Sequence, residues 1–231
     1  MEGAFWAKNV VVTGGTGALG RAVVQRLIEQ GAQVYVPVFH PHEQVDAPKG
    51  AQVRFVEGVD LTEESSASTF YSGVPDLWAS IHLAGGFAMA PIEETTSDDF
   101  MRLMRLNALS CFLSCQAACR EIRKTRSGGR IVNVSARPAM VPTPGMTAYA
   151  ASKAAVLTLT MSLSEELASD GIWVNAVIPS IMDTPVNRQA MPDAEHGMWP
   201  TTAQVAGTIS FLASPENEVA RGAAVPVYGH A

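Results

Sequence analysis

Tyr149 and Lys153, four residues apart, are the part of this 231-residue chain best suited to moving a proton. In the helical stretch from Met146 to Ala168 that spacing puts both on one face. A phenol with a pKa of about 10 is a poor base at neutral pH, and an ammonium beside it favours the phenolate. Either residue alone reads as an ordinary helix side chain. A second group lies near the start, in Val10-Val11-Val12-Thr13-Gly14-Gly15-Thr16-Gly17-Ala18-Leu19-Gly20. Glycines between a first strand and a first helix let backbone approach a dinucleotide pyrophosphate, which sits at the helix N-terminus. Gly14 is expected to make the sharp turn, Thr16, Gly17, Ala18 and Leu19 the cradle, and Gly20 the close helix–strand contact.

Elements must hold these groups together. Asn9–Thr13, Gln33–Val38, Gln52–Val56, Trp78–Ala84, Arg130–Ser135, Ile172–Ile178 and Ala223–Val227 are short and rich in Val, Ile or Ala, as suits strands buried on both faces. Helical periods lie between them. In Arg21–Gln30, Val23, Val24, Leu27 and Ile28 share a face and Gly31 supplies a stop. The stretch from about Ser97 to Arg126 starts with Asp98 and Asp99 and ends with Arg120, Arg123 and Lys124, matching a helix dipole. This alternation predicts an α/β fold: a doubly wound, mainly parallel seven-stranded sheet flanked by helices, one Rossmann domain over residues 1–231. The long irregular stretch Asp183–Thr201 is expected to form a substrate loop or lid.

With these motifs in order, the chain resembles the short-chain dehydrogenases/reductases. Thr13-Gly14-x-x-x-Ala18-x-Gly20 is similar to the family fingerprint, with alanine at the usual second glycine. The similarity continues through Asp60-Leu61, Ala84-Gly85-Gly86, Asn107, Tyr149-x-x-x-Lys153 and Val174-Asn175-Ala176-Val177-Ile178-Pro179. The resemblance implies NAD(P)(H)-dependent hydride transfer between a carbonyl and an alcohol on a small molecule. Tyr149 would be the acid/base, Lys153 its tuner and the ribose anchor, and Asn107 the holder of a relay water. It also implies cofactor contacts from Asp60, Leu61, Ala84, Gly85, Gly86, Pro179, Ile181 and Thr184, and a homodimer or homotetramer through the long helix and the Tyr149 helix.

The family's catalytic serine, thirteen positions before the tyrosine, is replaced by Ala136. Ser135 is one residue earlier, and one step along a strand turns a side chain to the other face, so Ser135 reaches the site only through a local bulge. Dihydropteridine reductases resemble the chain here: they too lack the serine and carry a stretch like Thr143-Pro144-Gly145-Met146. A dihydropteridine-reductase-like activity, or a catalytically weak NADP-binding sensor, is the alternative. At the end of the second strand Val38 and Phe39 stand where NAD preference rests on an acid, followed by His40-Pro41-His42. Phe39 and His40 are cofactor candidates, and NADP is the expected cofactor with NAD not excluded. Phe87, Met89, Met140, Met146, Met182 and Trp199 are candidate substrate walls, and Arg137 reads as a surface residue.

Composition narrows the remaining classes. A hydrophobic share of 47% excludes a disordered chain, and a formal charge of -6 argues against nucleic-acid binding. No apolar run approaches the roughly 20 residues of a membrane span. The short mixed N-terminus reads as no signal peptide, so the expected location is cytoplasmic. Cys111, Cys115 and Cys119 form a helical stripe read as buried packing with no metal, because no histidine stands near them in sequence.

Overall fold

The valine- and isoleucine-rich runs become the strands of one sheet. The computed structural model describes residues 3–44 and 47–230. Among these the strands are β1 Asn9–Thr13, β2 Gln33–Val38, β3 Val53–Glu57, β4 Leu77–His82, β5 Gly129–Val134, β6 Ile172–Pro179 and β7 Ala224–Val227. Their order is β3-β2-β1-β4-β5-β6-β7 and every pairing is parallel. The helices are α1 Ala18–Glu29, α2 Glu64–Ser72, α3 Ser97–Leu103, α4 Ser110–Thr125, α5 Thr147–Glu166, α6 Pro185–Ala190 and α7 Thr202–Ala213. None is long and apolar enough to cross a membrane.

Alternation along β1 divides the core. Val10 and Val12 pack with Val23, Val24 and Leu27 of α1 and with Val205 and Ile209 of α7. Val11 faces the other way, with Tyr71, Cys115, Ile122 and Val156 from α2, α4 and α5. Strands enclosed by helices on both sides have no solvent face, which explains their continuous apolar runs. The edge strands β3 and β7 depart from this reading and are largely half-buried or exposed. Because β1 lies between β2 and β4, successive crossovers diverge at its carboxyl end and leave a crevice.

Two predicted segments differ in form. The helix expected over 97–126 is divided: α3 is followed by a π-helical turn, Met104–Leu109, before α4. The stretch Asp183–Thr201 is not irregular throughout. It contains α6, capped by Thr184, and a 3-10 turn at His196–Met198, and is closed at its base by a bridge between Asp183 and Thr201.

At the opposite end of the sheet, Arg130 lies buried between two tryptophans. Its guanidinium carbon is 5.1 Å from the Trp78 ring centroid and 4.1 Å from that of Trp173. Its terminal nitrogens donate to Gly129 O at 2.9 Å and Asn217 O at 2.7 Å, while Nε has no hydrogen-bond partner among the described residues. Desolvation lowers its pKa. A flat guanidinium fits this slot, whereas an ammonium cannot stack on both rings. Arg130→Ala is expected to lower the unfolding free energy by about 2–4 kcal/mol, and Arg130→Lys should recover less than half of that in urea melts.

Candidate active site

The glycine-rich turn gains its shape from one left-handed residue and two close approaches. Gly14 has φ +65°, and a Cβ there would lie 2.7 Å from Ala84 N. A Cβ on Gly20 would strike Gly14 O. Thr13 Oγ1 accepts from Leu83 N at 3.1 Å and Ala84 N at 3.2 Å, fastening the end of β1 to the loop after β4. Gly17 N-caps α1, and Thr16, Gly17 and Ala18 leave the helix N-terminus accessible, while Leu19 turns into the core. Such a terminus presents amide donors to an anion.

Beside this turn lies a cleft of about 270 Å³. Gly14, Phe39, Asp60, Leu61, Ala84 and Gly85 line it, all of them predicted cofactor residues. Asp60 is fixed by Thr62, whose backbone amide and hydroxyl both donate to its Oδ1 at 2.8 and 2.7 Å. Pro37, Glu43, Val59, Thr62, Leu106 and Ser110 complete the lining and were not anticipated. Of these Glu43 matters most, because it is a carboxylate where the strand-end sequence Val38-Phe39 contains none. The signal was an acid about 20 residues beyond the glycine motif. His40, expected at the cofactor, is not among the lining residues; its ring lies 4.3 Å from Phe39 and 5.3 Å from His42, centroid to centroid. The glycine cradle and a cleft lined by apolar residues with two carboxylates fit part of an adenine dinucleotide.

Asn107 and Lys153 both lie against Gly85 of this cleft, and Tyr149 stands one turn before Lys153 on α5. Asn107 lies in the π-helical turn and is buried. Its Oδ1 accepts from Gly86 N at 2.9 Å, and its Nδ2 donates to Gly86 O at 3.0 Å and Ser152 Oγ at 2.9 Å. Ser152 Oγ donates in turn to Tyr149 O at 2.7 Å. A Cβ on Gly85 would collide with Asn107 Oδ1 and stand 3.5 Å from Lys153 Nζ, so only glycine leaves room there. Lys153 Nζ donates to Val134 O at 3.0 Å. Burial depresses its pKa to about 8, partly offset by Cys111.

Tyr149 differs from the sequence expectation. Burial pushes its phenol up to about 12, rather than Lys153 drawing it down. The ammonium is itself desolvated and committed to a main-chain carbonyl. The Phe87 ring meets Tyr149 edge-on at 5.0 Å. Ser135 donates its buried hydroxyl to Lys153 O at 2.8 Å and so ties β5 to α5. Ala136, with extended backbone, is buried and brings no hydroxyl.

The candidate substrate walls divide. Phe87, Met89 and Met140 are exposed, and Met89 packs within 3.3 Å of a Cβ position on Gly145. Ala90 N donates to Gly145 O at 2.9 Å, joining the loops after β4 and β5. Met146 is half-buried. Met182 packs against the core, and Trp199 is buried with its ring 4.7 Å from His196, so both support the loop more than they line a site. Pro179 ends β6, Ile181 is exposed, and Thr184 Oγ1 accepts from Asn187 N at 3.2 Å.

One assumption about the cysteines fails. His82, on β4, has a ring nitrogen within 4.8 Å of both the Cys111 and Cys115 sulfurs, so a histidine does stand beside them. Hydrogen bonds account for the grouping. His82 Nε2 lies 2.8 Å from Ser80 Oγ and Nδ1 2.7 Å from Asn133 Oδ1, and Asn133 Nδ2 donates to Thr160 Oγ1 at 2.9 Å. The Cys111 sulfur and burial together raise the Cys115 thiol well above its ordinary range.

Comparisons with known proteins identify the family and the fold. The family model described as short chain dehydrogenase matches residues 8–195. A 3-oxoacyl-[acyl-carrier-protein] reductase, MabA, of Mycobacterium tuberculosis is 29% identical over 97% of this chain and 93% of its own length. A cyclopentanol dehydrogenase of Comamonas testosteroni is 30% identical over 96% of both chains. Among solved structures, a short chain dehydrogenase/reductase family protein superposes with a TM-score of 0.90 at 26% identity, covering 99% of this chain and 98% of the other. ElxO with NADP bound gives 0.86 at 25% identity, covering 96% and 97%. The chain belongs to the short-chain dehydrogenase/reductase family and is an NAD(P)-dependent oxidoreductase.

Proposed function

We propose that the protein interconverts a carbonyl and an alcohol on a small molecule, with Tyr149 as the acid/base. The observation that carries this reading is that Lys153 Nζ and the Asn107 amide both lie against Gly85 of the cleft lining, with Tyr149 one turn before Lys153 on α5. A bound reduced nicotinamide would supply the hydride. Tyr149 Oη gives its proton to the carbonyl oxygen as the carbon is reduced, so the product is the neutral alcohol. A phenol held up to about 12 by burial keeps that proton at neutral pH, which favours reduction over oxidation. Lys153 replaces the proton and, beside Gly85, is placed to bind the ribose. Asn107 serves as a positioning residue, since its side-chain amide is engaged by Gly86 and Ser152. The relatives named for ketoacyl reduction and cyclic alcohol oxidation support this reaction class. The substrate is expected beside Phe87, Met89 and Met140, with the loop from Asp183 to Thr201 covering it. The assembly is expected to be a homodimer or homotetramer through α4 and α5, where Phe112 and Met161 are exposed.

Ala136 favours a second reading, a catalytically weak nucleotide-binding protein. A hydroxyl donor missing from the substrate oxygen costs about 1–3 kcal/mol. Two outcomes separate the readings. Tyr149→Phe should lower carbonyl-dependent NAD(P)H oxidation by roughly 10²- to 10⁴-fold while leaving dinucleotide affinity within threefold. An unchanged rate would defeat the enzyme reading. Ala136→Ser should retain or raise activity on simple ketones, and its complete loss would mean that Ala136 makes room for substrate.

The buried lysine has its own signature. Lys153 holds a proton less readily in the fold, at about 8, than in the unfolded chain, at 10.5. Unfolded chains therefore bind more protons in that window, and stability contributed at this residue rises with pH. The stability of wild type relative to Lys153→Met should grow between pH 8 and 10.5 by on the order of 3 kcal/mol. Urea melts showing a flat difference would contradict this.

A further inference from the structure

We propose that Glu43 sets the cofactor preference, favouring the dinucleotide without a 2′-phosphate; the proposal rests on reading the cleft beside Gly14 as the dinucleotide site. Absence of an acid from Val38 and Phe39 had pointed to NADP. The structure supplies the acid from outside the strand. After Phe39 the chain enters a 3-10 turn, Pro41–Gln44, which brings Glu43 back into the cleft wall beside Phe39 and Asp60.

The carboxylate is held in place. Glu43 Oε1 accepts from His40 N at 2.8 Å, and the next residue, Gln44, donates from Nε2 to Glu57 Oε1 of β3 at 2.8 Å. The turn is thus fastened at both ends of Glu43. Its side chain is half-buried and not one that swings freely in water. The lining of the cleft contains two carboxylates, Glu43 and Asp60, and no lysine or arginine among the described residues. His40 and His42 stack on one another beside Phe39, and neither lines the cleft.

These charges decide between the two dinucleotides. A ribose 2′-hydroxyl can donate to a carboxylate, which is how an acid about 20 residues after the glycine motif selects NAD. A 2′-phosphate has about two negative charges and no proton to give at neutral pH, so it meets repulsion and loses a bond together. Thr62 holds Asp60 through its Oδ1 in the loop after β3, whereas Glu43 is the carboxylate that follows the end of β2.

Equilibrium titration of the whole protein by nucleotide fluorescence, with NADH and with NADPH, tests this without any substrate. NADH should bind wild type more than threefold tighter than NADPH, and raising NaCl should narrow the ratio by screening the repulsion. In Glu43→Gln, which keeps size and hydrogen bonding, the ratio should move more than threefold toward NADPH, and Glu43→Arg should move it further. A wild-type ratio below threefold, or a Glu43→Gln ratio within threefold of wild type in a protein with unchanged circular dichroism, would overturn the assignment of Glu43. If Glu43→Gln does not fold, a wild-type ratio insensitive to salt overturns it instead. Failure of both nucleotides to bind would overturn the dinucleotide reading of the cleft itself.

Discussion

The amide of Asn107 is the interaction on which the site depends. It joins three chain segments distant in sequence: the loop after β4 through Gly86, α5 through Ser152, and the helix it sits on. A buried amide left without partners costs about 1–3 kcal/mol, so the three segments are held to one mutual position. The π-helical turn at Met104–Leu109 carries this residue. An extra residue in the turn rotates the side chains that follow and loosens the backbone ladder locally. A continuous α-helix over 97–126 would have aimed residue 107 elsewhere. The break in the helix and the clasp are therefore one feature, and Gly85 is part of it, because a side chain there would occupy the space the amide needs.

The same clasp governs the proton chemistry. Ser152 links Asn107 to the main chain at Tyr149, and Ser135 links β5 to the main chain at Lys153. Both catalytic candidates are thus positioned through their backbone, and Lys153 is held through its ammonium as well, by Val134 O. Burial acts on the two in opposite directions. It raises the phenol, because the charged form is the phenolate, and lowers the ammonium, because the charged form is the protonated one. Each change favours the neutral side chain. A proton passed between such groups moves through an environment that penalises charge on either, which suits a reaction whose alkoxide is quenched as it forms.

Much of this organisation was legible in sequence because burial leaves a pattern. Strands covered on both faces read as unbroken Val and Ile runs, and all seven strands were placed within about two residues at each end. The doubly wound parallel sheet followed from the alternation of elements, and the glycine turn from its place between the first strand and the first helix. What escaped depended on contacts between distant residues. His82 stands 29 residues before Cys111, and no helical spacing relates a strand residue to a helix stripe. Glu43 was hidden by a 3-10 turn that doubles back to the strand it left. The rise of Tyr149 was missed for another reason: proximity of a lysine was legible, but desolvation of both groups requires the packed structure.

The two ends of the cleft differ in how tightly sequence constrains them. At the glycine turn, backbone approaches backbone so closely that Gly14 and Gly20 exclude any side chain, and the Asn107 side chain does the same at Gly85. Such positions cannot drift without loss of the cleft. The proposed substrate side has exposed Phe87, Met89 and Met140 on loops joined by a main-chain bond from Ala90 to Gly145. Methionine adapts its shape at little cost, so these exposed side chains can rearrange without disturbing the sheet. Ala136 belongs to the same division. Its neighbour Ser135 is fixed by a bond the fold requires, whereas residue 136 contributes only its own small side chain to the site. A hydroxyl can therefore be gained or lost there without altering the frame that holds Tyr149 and Lys153.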